Sequence, residues 1–90
     1  MRGRFLEVTY RNGKPIAAYL YLPRTPDDHS VRTRRFEPGL VMDIAKDGRA
    51  IGIEITSPTV TSLADLNLAL AAVNQPELQP NEAAPLLSAA

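Results

Sequence analysis

The chain has no cysteine and no tryptophan, and only one histidine, two phenylalanines and three tyrosines in 90 residues. The lack of cysteine removes disulfides, thiolate metal sites and cysteine nucleophiles together, and fits a reducing compartment. With His29 as its sole histidine, the chain cannot assemble a histidine-based metal site or proton relay; beside Asp27 and Asp28 in a polar stretch, that ring is expected to be solvated. No phosphate-cradling glycine loop, nucleophile elbow or dinucleotide fingerprint is present. Asp47-Gly48 resembles the start of a calcium loop, but the downstream oxygen ligands are missing. The opening MRGRFLEVTY lacks the apolar region of a signal peptide, and no apolar run is long enough to span a bilayer. These absences predict a cytoplasmic, non-enzymatic protein with no catalytic residue, cofactor, metal or membrane contact.

What is present is an aliphatic core for one domain, with 44% apolar residues and a length too short for two domains. Positive and negative charges cancel overall but not locally. Residues 1–36 hold eight Arg or Lys against three Asp or Glu, and residues 37–90 hold two against seven, so the halves carry +5 and −5. Complementary pairing across neighbouring strands is the simplest expectation. A nucleic-acid binder would more often show an overall basic excess, which makes that partner unfavoured.

The clearest pattern is Leu40 to Ile55, two alternating strands joined by Asp47-Gly48 as a tight turn. Facing apolar sides require Ile44 opposite Ile51, Met42 opposite Ile53 and Leu40 opposite Ile55. Phe5 to Tyr10 and Ile16 to Leu22 alternate likewise around Asn12-Gly13. A two-residue loop there would pair Tyr10 with Pro15 and put the faces out of step. Face matching therefore favours a longer loop with Tyr10 opposite Ile16, Val8 opposite Ala18 and Leu6 opposite Leu20. Pro23 to Ser30 reads as an exposed loop. Val31 to Phe36 reads as an edge strand guarded by its arginines.

Ser62 and Asp65 form a capping-box pattern ahead of a helix whose Leu63, Leu66, Leu70 and Val73 share one face. The other side, with Ala64, Leu68, Ala71 and Ala72, is apolar enough either to seek a partner or simply to favour helix through alanine. Residues 74–90, with Pro76, Pro80 and Pro85 between Leu78, Leu86 and Leu87, cannot form one continuous helix. They are expected to be a disordered tail beyond the domain at 1–73, or an arm docked on a neighbouring subunit.

Asp43 and Glu54 are the only charges within the central strands and share a face. They are expected to meet Arg32, Arg34 or Arg4 in a polar sheet-face cluster, with a carboxylate pair for acid-base work or cation binding as the sharper alternative. Gly52, mid-strand beside Asp43, leaves room for a close backbone or for the ring of Tyr19 or Tyr21. Arg24, Arg32, Arg34 and Arg35, with Tyr19, Tyr21 and Phe36, form a possible nucleic-acid surface. The zero net charge weighs against it.

Ala17-Ala18-Tyr19-Leu20-Tyr21-Leu22, Pro38 to Asp43, and Asp47-Gly48 with Gly52-Ile53-Glu54-Ile55 resemble the small bacterial domains of unknown function numbered family 2283. The resemblance runs over roughly residues 5 to 57 and is most specific from Asp43 to Ile55. Ile16 departs from it where Asp is common, and so do the longer helix and tail. It implies no activity, and it makes an antitoxin-like or immunity-like role conceivable.

The expected fold is therefore α+β: an antiparallel sheet of four to five strands, a meander of hairpins, with one C-terminal helix packed on one face. The expected function is that of a protein-protein interaction module, a homodimer or the small partner of another protein. Its contact surface would be Ala64, Leu68, Ala71, Ala72 and Leu78. The alternative is nucleic-acid or small-ligand binding through the arginine and tyrosine face.

Overall fold

Alternating residues build five strands, and one computed structural model describes residues 3–89 of the chain. The strands are β1 (Phe5–Arg11), β2 (Lys14–Tyr21), β3 (Arg32–Phe36), β4 (Leu40–Ile44) and β5 (Ala50–Ile55), followed by helices α1 (Leu63–Ala72) and α2 (Ala84–Ala89). The strands form one antiparallel sheet in the order β1-β2-β5-β4-β3. The architecture is α+β, as expected. The hairpins do not simply follow one another across it, however: β3 crosses to the far edge, and β5 returns to lie beside β2.

The β4–β5 register places Leu40 opposite Ile55, Met42 opposite Ile53 and Asp43 opposite Gly52, which the matching of apolar faces demanded. Next to the turn it slips. Ile44 pairs with Ala50 rather than Ile51, leaving Ile51 as an extra residue, buried, whose carbonyl accepts a hydrogen bond from the Leu22 amide. Only Gly48 of the Asp47-Gly48 pair has positive φ, at +91°, and its amide closes the turn on the Ala45 carbonyl.

The first hairpin uses the same device. Asn12 and Gly13, at φ +52° and +76°, make the two-residue loop that face matching alone had disfavoured, with Arg11 opposite Lys14 and Tyr10 opposite Pro15. The register then shifts between Thr9 and Tyr10, which restores Val8 opposite Ala18 and Leu6 opposite Leu20. Ile16, expected on the core side, is 48% exposed where the shift occurs. In both hairpins the tight turn sets the pairing beside it, and one extra residue in a β-bulge brings the apolar faces back into step.

The core lies on one face of the sheet, where Leu6, Leu20, Ile53 and Met42 form one row across the strands and Val8, Ala18, Ile55 and Leu40 the next. Helix α1 delivers Leu66, Ala69 and Leu70 into this cluster, with Leu63 and Val73 at its margin. The expected capping box is present: Ser62 Oγ accepts from the Asp65 amide and Asp65 accepts from the Ser62 amide. At the other end Asn74, at φ +60°, lets the Asn74 and Gln75 amides reach the Ala71 and Leu70 carbonyls, a left-handed cap that satisfies orphan acceptors.

Residues 74–86 are not the expected loose tail or an arm on another subunit. They pack on this chain's own sheet, with Leu78, Ala83 and Leu86 buried in the core and α2 against β1 and β2. Asn67 accepts from the Leu78 amide at 2.8 Å. Arg4 binds the carbonyls of Pro76 and Glu77 and the carboxylate of Glu82, the last at 3.2 Å. The side chain of Leu87 lies outside the described residues. A five-strand sheet is about 19 Å wide at ~4.8 Å per strand, whereas a helix covers about 10 Å. One helix leaves β1 and β2 bare, and the returning segment covers them.

Among the described residues no helix is long and apolar enough to cross a membrane.

Candidate functional site

The opposite face of the sheet carries most of the aromatic and acidic side chains of β1, β2, β4 and β5. Paired residues place Phe5, Tyr21, Gly52, Asp43 and Thr33 in one row across all five strands, and Glu7, Tyr19, Glu54, Val41 and Arg35 in the next. Neither helix reaches this side, and Phe5 remains 44% exposed.

At its centre, the Tyr19 ring leans out of its own row and lies over Gly52. A Cβ at that glycine would overlap the phenol, so the missing side chain is what admits the ring, one of the two occupants expected there. Tyr19 Oη donates to Asp43 Oδ2 at 2.5 Å, and Ser30 Oγ donates to Asp43 Oδ1 at 2.9 Å. Burial raises the Tyr19 pKa well above the ordinary tyrosine value, and the hydrogen bond and negative charge of Asp43 push it further the same way. The hydroxyl therefore stays protonated at neutral pH and acts as a donor, not a base. Around it, Phe5 stacks on Tyr21 with ring centroids 4.4 Å apart. Tyr21 meets Tyr19 edge-on at 4.7 Å.

The cluster expected from Asp43, Glu54, Arg32 and Arg34 is not assembled. Arg32 pairs with Ile44 and Arg34 with Met42, so both arginines stand on the aliphatic face, where Arg34 sits 4.7 Å over the Phe36 ring. Asp43 and Glu54 stand on the other face. Asp43 is engaged by Tyr19 and Ser30, and Arg4 by the C-terminal segment. The parity of Phe36, an apolar residue in step with Arg32 and Arg34, was the sequence signal that those arginines would face the core side. The same placement separates Arg32 and Arg34 from Tyr19 and Tyr21, whereas Arg35 shares the tyrosines' face and Arg24 lies near the Tyr19 hydroxyl, so the expected arginine and tyrosine surface is assembled only in part.

Strands from the two halves of opposite charge do lie side by side, β2 against β5 and β3 against β4, but no ion pair among the described residues joins a strand to its neighbour. The ion pairs among the described residues join Arg4 to Glu82 and Arg49 to both Asp28 and Asp47. Hydrogen bonding to Arg49, at 2.7 and 2.6 Å, lowers both aspartate pKa values. It fastens the loop after β2 to the β4–β5 turn. His29 is exposed, with Nδ1 3.2 Å from the Asp27 carbonyl. Among the described residues no group of three or more His, Cys, Asp or Glu is placed to hold a metal.

Of the expected contact residues, Ala64, Leu68, Ala71 and Ala72 lie exposed on the outer side of α1, with Leu68 at 73%. Leu78 does not join them, being 2% exposed within the core.

Fold and surface thus define a small α+β domain with a sheet covered on one side only. Residues 17–57 match the family model described as protein of unknown function (DUF2283), and over these residues the chain resembles that family. The match is narrower than residues 5 to 57, leaving β1 and the helices outside, yet it contains Tyr19, Asp43 and Gly52. These residues come from three separate strands of the resemblance and meet in one contact. No curated protein and no solved structure matches the chain.

Proposed function

We propose that the protein is a non-enzymatic interaction module that acts as a homodimer, two copies meeting through the outer side of α1. Leu68 carries this reading. It is 73% exposed in mid-helix, and full burial of such a side chain is worth about 1.5–3 kcal/mol. Ala64, Ala71 and Ala72 surround it without charge, while the polar residues of the helix are already engaged, Asp65 in the cap and Asn67 with Leu78. A two-fold contact sets a patch against itself, so it must be self-complementary. One large side chain among small neutral ones meets that condition, since each leucine can seat over the alanines of the other copy.

Light scattering over a concentration series is expected to give the mass of a dimer, and Leu68→Asp a monomer with an unchanged circular dichroism spectrum. A wild-type chain of monomer mass throughout the series overturns the reading.

A further inference from the structure

The uncovered face of the sheet is not uniform. Its β1, β2 and β5 half carries the Phe5, Tyr21 and Tyr19 rings in mutual contact, and the carboxylates of Glu7 and Glu54 flank Tyr19 in one row. Both glutamates are exposed, and neither belongs to an ion pair among the described residues. Glu7 accepts a hydrogen bond from the Tyr21 hydroxyl, at 3.4 Å. Positive charge on this face lies around the site: Arg35 stands on the edge strand beyond Val41, Arg11 and Lys14 pair beside the first turn on the far side of Thr9 and Ala17, and Arg24 approaches the Tyr19 hydroxyl from the loop after β2.

We propose that this half of the sheet docks an extended segment of a partner protein that presents an arginine or lysine, its cation seated on the aromatic rings between Glu7 and Glu54. Ring faces attract a cation through their quadrupole, most strongly a weakly hydrated guanidinium. Carboxylates on either side add charge-assisted hydrogen bonds. The two carboxylates beside the rings select the occupant. A nucleic-acid strand or an acidic peptide would bring its negative groups against Glu7 and Glu54, whereas a basic segment brings the charge that they lack. The surface lies on the opposite side of the sheet from α1, so the proposal goes beyond the dimer contact and does not rest on it.

The test is a titration of the isotope-labelled full chain with a capped tetra-arginine peptide, followed by amide chemical shifts, with capped tetra-glutamate as control. Saturable shifts are expected at Phe5, Glu7, Tyr19, Tyr21 and Glu54. The double variant Glu7→Gln/Glu54→Gln should weaken binding about tenfold. Glu37→Gln/Glu77→Gln, which removes the same charge from exposed positions off this face, should leave it unchanged. Equal weakening in both doubles, shifts centred on the C-terminal segment, the same shifts from tetra-glutamate or a single-stranded oligonucleotide, or no saturation would each overturn the proposal.

Discussion

The two faces of the sheet are written by alternate residues of the same five strands, yet they are held by different forces. On the covered face the rows are nearly all aliphatic, and Leu20, Ile53 and Met42 are 0% exposed. Their stabilisation is non-directional and grows with the area removed from water. On the open face neighbours differ in kind, with an aromatic ring, a missing side chain and a carboxylate in sequence along one row. What holds that side is a few directional contacts, chiefly Tyr19 over Gly52 to Asp43. The covered face can exchange one aliphatic residue for another at modest cost; the open face depends on particular atoms.

That contrast can be tested along one strand, because Gly52 and Ile53 are adjacent in β5 and point to opposite faces. Ile53→Ala should have the largest effect, destabilising the fold by about 2–5 kcal/mol in urea unfolding, through lost burial and the cavity left behind. Gly52→Val should cost less, about 1–3 kcal/mol, as overpacking displaces the Tyr19 ring. It should also return the Tyr19 hydroxyl toward its ordinary titration range, read by ultraviolet absorbance. If Gly52→Val costs as much as Ile53→Ala, the open face is a second core and the contrast fails. Tyr19→Phe should cost least, about 0.5–1.5 kcal/mol for one hydrogen bond.

The last variant also has a pH signature. The folded chain holds the Tyr19 proton more tightly than the unfolded chain, whose tyrosine titrates near 10.0. The contribution of this group to stability is therefore complete below that pH and is lost as the pH rises above it. Denaturation midpoints of the wild type should fall on alkaline titration more steeply than those of Tyr19→Phe. Parallel curves would show that the hydroxyl is not held as the geometry indicates.

Much of the fold was legible because its signals are local. Alternation assigned Leu6, Val8, Ala18, Leu20, Ile53 and Ile55 to one side, and Ser62 with Asp65 marked the start of α1. The room beside Gly52 was legible too, since a glycine between isoleucines in a strand invites a close neighbour. The bulges were not: at Asn12-Gly13 turn preference and face matching conflict and an extra residue reconciles them, whereas at Asp47-Gly48 the two agree on a register from which the actual turn departs. Leu78 was placed at a contact surface because a proline-broken segment shows no periodicity to mark its buried side. Arg32 and Arg34 were placed with Asp43 and Glu54 by charge, although their parity with Phe36 pointed the other way. Matching charges across strands was the weaker guide, since exposed pairs contribute little.

The amino-acid sequence alone determined the strands, the places of the two turns, the capped helix and most of the partition of side chains between faces in β1, β2, β4 and β5, because each follows from contacts within a few residues. Tertiary structure decided the crossing of β3 to the far edge, the return of residues 74–86 over β1 and β2, and the meeting of Tyr19, Asp43 and Gly52. These depend on which strands become neighbours and on how much of a broad sheet one helix can cover. That is a matter of area and topology, which no short stretch of chain encodes.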